Sequence, residues 1–263
     1  MSFDSLGLNK SILQGVRDAG YDKPTEIQAH AIPKILAGDE LIGLGQTGSG
    51  KTAAFGLPML HKLVGGEPGL RGLIIVPTRE LCVQVAENLR GYAKHAGLNV
   101  CTAFGGIDLS IQESAFKRGL DVLVACPGRL IDHLERRNIT LENIEMVVLD
   151  EADRMLDMGF EPQIRKIVNG GIRADRQTLF YTATWPRAVR ALAYEFLRSP
   201  VQVEVGDINQ LNANKDITQY CHVIRSPMEK QSLLTQILGS LEGGSRTLIF
   251  ASTKRMCDQL GNQ

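Results

Sequence analysis

Eight consecutive residues, Gly45-Gln46-Thr47-Gly48-Ser49-Gly50-Lys51-Thr52, narrow the folds open to this chain more than any other feature. They follow a short apolar run, Leu41-Ile42-Gly43-Leu44, and open an apolar segment of helical character. That strand, loop and helix order is the context that gives the phosphate-loop pattern its meaning. Glycines let successive backbone N–H groups turn inward, and the following helix adds the positive end of its dipole. Lys51 then supplies a mobile charge for the β and γ phosphates of a nucleotide, and Thr52 a hydroxyl for magnesium, which prefers octahedral oxygen ligands.

Further short apolar runs recur at Leu73–Val76, Val122–Ala125, Met146–Leu149 and Thr178–Tyr181. Their hydrophobicity is continuous rather than alternating, as in strands buried on both faces. Segments of helical character lie between the runs, at Arg79–His95, Gly128–Arg137 and Pro186–Leu197. Alternation of this kind predicts an α/β fold with a mostly parallel sheet flanked by helices, whose ligands gather at the C-terminal ends of the strands. The run Met146–Leu149 delivers Asp150 to that end, where a carboxylate can hold magnesium through water. Glu151 beside it can position an attacking water, so the pair points to hydrolysis.

After Val201–Val205 the polar stretch 206–216 reads as a linker. A new pattern follows, with a strand expected over Ile217–Ile224, a helix over Glu229–Leu241, a strand over Thr247–Ser252 and a helix opening at Lys254–Leu260. The expected organisation is therefore 1–205, a linker at 206–216, and an incomplete second domain at 217–263. Gly65-Gly66-Glu67-Pro68-Gly69 reads as a loop between a helix and a strand.

Composition constrains the partners. Lys plus Arg and Asp plus Glu each total 29, so no global positive field draws in a polyanion and any nucleic-acid contact must be local. The five cysteines, Cys82, Cys101, Cys126, Cys221 and Cys257, are scattered and never spaced C-x-x-C, which argues for reduced thiols rather than disulfides or zinc. No run of about 18 apolar residues is present, and the N-terminus lacks a basic region followed by an apolar one, so a soluble intracellular protein is expected.

With Asp150-Glu151-Ala152-Asp153 in hand, the chain resembles a DEAD-box RNA helicase from Phe3 onward. The resemblance implies a RecA-like ATP-binding domain with the first elements of a second RecA-like domain, ATP and Mg2+ as cofactors, and RNA as partner. Gly20-Tyr21-Asp22-Lys23-Pro24-Thr25-Glu26-Ile27-Gln28 resembles the family's Q motif, with Phe3 as its upstream aromatic, and implies adenine selectivity through Phe3, Tyr21, Lys23, Thr25 and Gln28. A primary amide both donates and accepts, so Gln28 can pair with the amino group and a ring nitrogen of adenine. Pro77-Thr78-Arg79, Gly105-Gly106 and Pro127-Gly128-Arg129 match the RNA-backbone motifs, whose contacts are sequence-blind. Thr182-Ala183-Thr184 stands where the family has Ser-Ala-Thr, which couples hydrolysis to strand separation, and its hydroxyls are expected to meet Asp153. Leu248–Lys254 is similar to the first motif of the second domain.

Three positions depart from the family pattern: Gly45 for Ala, Cys126 for Thr and Thr182 for Ser. Cys126 exchanges a hydroxyl for a weak S–H donor, which predicts modestly weaker RNA affinity. The resemblance also implies arginines in a complete second domain that reach the γ phosphate. The expectation is thus an RNA-dependent ATPase and helicase by lineage, of which this chain alone binds ATP–Mg2+ and RNA weakly and unwinds poorly. The alternative is a short nucleotide-responsive RNA-binding or scaffolding protein. Either way the expected setting is a monomer in nucleus or cytoplasm, away from membranes, with protein cofactors possible beside RNA.

Overall fold

The computed structural model describes residues 2–206 and 217–262, so the expected linker at 206–216 lies, but for Gly206, outside the described residues. The chain divides into two units, Met1–Asn212 and Ala213–Gln263.

The first unit is built on seven strands: β1 (Leu41–Gly45), β2 (Gly72–Ile75), β3 (Val100–Ala103), β4 (Val122–Ala125), β5 (Met146–Leu149), β6 (Gln177–Thr182) and β7 (Val201–Val205). They form one sheet in the order β3-β4-β2-β5-β6-β1-β7. Every pairing is parallel, so the sheet is fully parallel rather than mostly so. Two helices, α1 (Lys10–Asp18) and α2 (Glu26–Ala37), precede β1; parallel strands need crossovers, and α3 (Lys51–Leu63), α4 (Arg79–Ala93), α5 (Leu109–Lys117), α6 (Pro127–Glu135), α7 (Ala152–Asp157), α8 (Glu161–Asn169) and α9 (Arg187–Phe196) supply them. Two apolar clusters result, one on each face of the sheet.

Local chemistry sets where these helices begin. Thr25 and Gln28 form a capping box at the start of α2, Thr78 accepts from the Leu81 N–H at the start of α4, and Pro127 occupies the first turn of α6. At β1 the fold needs glycine for space: a Cβ on Gly43 would lie 2.3 Å from the buried Tyr181 ring. The same holds where α1 crosses α4, because a Cβ on Gly15 would lie 2.2 Å from the Tyr92 carbonyl oxygen.

The second unit carries two helices, α10 (Pro227–Gly239) and α11 (Lys254–Gly261), close to the helices expected there. The strands expected over Ile217–Ile224 and Thr247–Ser252 do not form. A strand owes its backbone hydrogen bonds to a neighbour, and among the described residues neither segment has one to pair with. No described residue of this unit is buried. No helix of the described residues is long and apolar enough to cross a membrane.

Candidate functional site

The strand order divides the sheet's C-terminal rim into two blocks. Loops leaving β1, β5 and β6 carry the phosphate loop, Asp150 to Asp153, and Thr182 to Thr184; loops leaving β2, β3 and β4 carry Thr78-Arg79, Gly105-Gly106 and Pro127 to Arg129. The blocks meet between β2 and β5, where the Asp150 N–H donates to the Ile75 carbonyl at 3.0 Å.

In the first block the phosphate loop wraps toward Lys51. Gly48 and Gly50 sit at φ 85° and 94°, in the left-handed region that favours glycine. The Lys51 ammonium, 8% exposed, donates to the carbonyls of Gly45 at 2.6 Å and Gln46 at 2.9 Å. Gln46, Thr47 and Gly48 are exposed and Thr52 is half-buried. Gly45, in place of alanine, is tightly enclosed, since a Cβ there would lie 2.9 Å from Ser49 Oγ.

Beneath Lys51, Asp150 is 3% exposed. Burial pushes its carboxyl up to about 7, with Lys51 pulling the other way and Glu151 adding to the rise. The same burial lowers the Lys51 ammonium against the pull of Asp150, Glu151 and Asp153. Glu151 adopts φ 52°, uncommon for a side chain this large. Its Oε2 and Ser49 Oγ are buried without a hydrogen-bond partner.

These groups suit nucleotide and magnesium: an ammonium, two oxygens without hydrogen bonds and two adjacent carboxylates are the oxygen-rich, mixed-charge surroundings that a phosphate-bound Mg2+ takes. Among the described residues no group of three or more His, Cys, Asp or Glu side chains could hold a metal by itself.

The Q-motif residues brace this loop. Thr25 Oγ1 donates to the Ser49 carbonyl at 2.8 Å, and Gln28 Nε2 donates to the Gly50 carbonyl at 3.1 Å while its Oε1 accepts from the Thr25 N–H at 2.9 Å. Each end of the Gln28 amide keeps one unused valence, enough for an adenine edge. Phe3 and Tyr21 are 6.4 Å apart in a stacked arrangement; Phe3 is buried, whereas Tyr21 is 39% exposed, and Lys23 is exposed. The Tyr21 hydroxyl meets that of Tyr92 at 3.1 Å, tying this segment to α4.

Thr184 meets Asp153 as expected, its N–H and Oγ1 both donating to Oδ2, at 3.0 and 2.8 Å. Thr182 does not: its hydroxyl donates to the Thr184 carbonyl at 2.9 Å, which fixes the turn rather than the carboxylate. One hydroxyl at the strand end is drawn inward, and Thr182 is fully buried.

The second block is held together by its arginines. Arg79 lies 5.1 Å above the Phe104 ring, and Arg129 Nη1 donates to the Ile107 carbonyl at 2.9 Å, joining the loops after β2, β3 and β4. Thr78 is half-buried with its hydroxyl oxygen accepting from Leu81, which leaves its proton free to donate. Gly105, Gly106, Gly128 and Arg79 are exposed, whereas Pro127 is buried and acts as a helix start. Sequence reasoning missed Tyr92 and Cys82, both buried on α4, because neither belongs to a local motif.

The Gln28 bonds make a prediction with two readouts. Gln28→Ala should weaken ATP binding about tenfold, the effect of losing one or two hydrogen bonds, and let GTP compete. It should also weaken tripolyphosphate, which has no base, because the amide braces Gly50. An unchanged ATP over GTP preference in competition titrations would refute the adenine role.

The family model described as DEAD/DEAH box helicase matches residues 25–192. The chain is 47% identical over 99% of its length to "DEAD-box ATP-dependent RNA helicase 14" of Arabidopsis thaliana, covering 42% of that protein. It is 44% identical over 98% of its length to "ATP-dependent RNA helicase DBP2" of Saccharomyces cerevisiae, covering 48%. Its fold is similar to the crystal structure of a hypothetical ATP-dependent RNA helicase from Sulfolobus tokodaii, with a TM-score of 0.69 and 34% identity across 75% of this chain and 57% of that one. The chain thus spans less than half the length of these two curated relatives.

Proposed function

Because the chain belongs to the DEAD/DEAH box helicase family, we propose that it is the ATP-binding portion of an RNA-dependent ATPase that remodels RNA duplexes. The observation that carries this reading is the divided rim, with a phosphate-loop block and an RNA-facing block sharing the seam between β2 and β5. In this reading residues 1–205 are the RecA-like domain with its Q motif, 206–216 the linker and 217–263 the start of a second domain.

Each group then has a role that its surroundings support. Lys51, desolvated and mobile on its four-carbon stem, exchanges the Gly45 and Gln46 carbonyls for phosphate oxygens. Asp150 and Thr52 hold the ion. Mg2+ held there would supply positive charge to offset the negative charge that develops on the phosphates. Glu151, fixed at the strand end with Oε2 free of hydrogen bonds and 3.6 Å from the Arg154 guanidinium, orients the attacking water and accepts its proton. Asp153, bonded twice by Thr184, links the acidic segment to the turn after β6, so a change at the phosphate reaches that turn. Thr78, Arg79, Gly105, Gly106, Gly128 and Arg129 contact the RNA backbone, with Pro127 setting their helix. The relatives' printed names support ATP and RNA as ligands; nuclear or cytoplasmic residence and a monomeric state complete the proposal.

By itself this chain binds ATP–Mg2+ and RNA weakly and unwinds poorly. The arginines that the resemblance implies in a complete second domain are worth roughly 10³ to 10⁵ in rate in comparable phosphoryl-transfer enzymes. The decisive measurement is phosphate release with and without RNA, in this chain and in one extended through a complete second domain. RNA-stimulated turnover should appear in the extended protein and vanish in its Glu151→Gln variant. An extended protein indifferent to RNA would sink the helicase reading.

A further inference from the structure

Two thiols sit on the RNA-facing block, and nothing in the proposed chemistry uses them. Cys82 lies on α4, one turn after Thr78, and is fully buried. Cys126 caps the start of α6 immediately before Pro127-Gly128-Arg129 and is partly exposed. The topology brings them together, because β2 and β4 are neighbours and the residues leaving their C-terminal ends must meet. The Val76 N–H donates to the Ala125 carbonyl at 3.0 Å, and Cys82 Sγ donates to the Val124 carbonyl at 3.1 Å. Cys126 also packs against the apolar cluster that contains Cys82.

The pair is electrostatically asymmetric. The neighbouring Cys82 thiol holds the Cys126 thiol below its ordinary range, whereas the same neighbour and burial push Cys82 up. Cys82 has one thiol proton, which can turn from the Val124 carbonyl to a Cys126 thiolate when that forms. The position at a helix N-terminus favours the thiolate in the same sense. An accessible, more acidic thiol backed by a buried partner is the arrangement of an oxidisable cysteine with its resolving cysteine. Cys101, by contrast, is buried and its thiol is pushed up by that burial.

We propose that Cys126 and Cys82 form a peroxide-sensitive dithiol whose closure to a disulfide reshapes the loop at Pro127 to Arg129 and lowers RNA affinity. The RNA consequence rests on the assignment of that block given above; the oxidation itself does not. The Cys126 thiolate attacks one oxygen of hydrogen peroxide, breaking the O–O bond to leave a sulfenic acid and, after protonation, water. The Cys82 thiol then attacks the sulfenic sulfur; the S–S bond forms, the S–O bond breaks, and the hydroxyl leaves with the Cys82 proton as a second water. The two thiols lose two electrons, which the peroxide accepts, and an added dithiol reverses the step by exchange. A disulfide fixes its Cβ atoms about 3.5–4.5 Å apart. That constraint draws the start of α6 toward α4, and Arg129 transmits it to Ile107 beside the Gly105-Gly106 loop.

The test treats this chain with graded hydrogen peroxide, blocks free thiols, and maps peptides by mass while a labelled single-stranded RNA reports affinity. We expect a Cys82–Cys126 peptide lighter by two hydrogens, with RNA affinity lower by about tenfold, the scale of one lost charge-assisted hydrogen bond, and restored by dithiothreitol. Cys82→Ala should leave a Cys126 sulfenic acid that dimedone traps. If that variant unfolds, Cys126→Thr decides instead, because its RNA affinity should ignore peroxide. Oxidation of Cys126 no faster than of exposed Cys221 or Cys257, or a cross-link that leaves RNA affinity unchanged, would overturn the proposal. If neither state binds RNA, the RNA assignment of the block fails, while a specific cross-link would still support the dithiol.

Discussion

A Lys51→Ala chain should bind ATP–Mg2+ about a hundredfold less tightly, roughly 3 kcal/mol, which lies in the range for truncating one partner of a buried charge pair. The ammonium is almost fully desolvated and held within the loop by two carbonyls, so its charge is already in the site before it exchanges them for phosphate oxygens. Aimed charge in a site that excludes water is worth more than the same charge on a flexible surface lysine. The substitution also removes the group that holds the Asp150 carboxyl down. Asp150 then rises further, and the domain should lose stability above pH 7 even without nucleotide. Isothermal titration with ATP–Mg2+ reads the first effect and thermal melts at pH 5 and pH 8 the second. Retained affinity would mean that the loop amides alone carry the phosphates.

Asp150→Asn should produce the opposite change in stability together with a loss of magnesium dependence. Below the ordinary carboxylate value of 3.8 the group is neutral in both folded and unfolded chains. Between 3.8 and about 7 the unfolded chain ionises while the folded one keeps its proton, so stability falls as pH rises through that window, and the loss is complete above it. A gap of roughly three pH units corresponds to at most about 4 kcal/mol. Asparagine has no such slope. Relative to the wild type, the variant's melting temperature should therefore climb between pH 5 and pH 8, by about 2–4 °C for each kcal/mol in a domain of this size. Added Mg2+ with ADP should raise the wild-type melt well above the melt with ADP alone, and do nothing comparable for the variant. A melting difference that ignores pH would refute the raised carboxyl, and equal magnesium responses would remove Asp150 from the ion's ligand set.

What could be read in advance depended on how local the physics was. β1, β2, β4, β5 and β6 announce themselves because strands covered on both faces must be apolar throughout, and the phosphate loop and acidic segment are short enough to carry their own context. β3, Val-Cys-Thr-Ala, offers no such run: it is an edge strand paired on one side only, with Thr102 incompletely covered. The strands expected at Ile217–Ile224 and Thr247–Ser252 had the right residues, yet a ladder is a property of two segments and the second was lacking among the described residues. The site divides in the same way. Thr184 against Asp153 was anticipated by motif, whereas the inward turn of Thr182 depends on a carbonyl two residues away, and no motif encodes it. The bonds from Thr25 and Gln28 to the loop at Ser49 and Gly50 join positions more than 20 residues apart and emerge only when α2 packs on α3.

The order β3-β4-β2-β5-β6-β1-β7 has one more consequence. The strands β2, β3 and β4, with the helices between and after them, occupy one uninterrupted stretch from Gly72 to Glu135, threaded between the phosphate loop and its acidic partner. The block is thus a cassette. Within the sheet it is spliced to its host along a single seam, Gly72–Ile75 against Met146–Leu149, with α4 set against α1 and α3 behind it. A foreign stretch that kept this seam and that helix packing could replace the loops after β2, β3 and β4 while leaving the phosphate loop and its acidic partner in place.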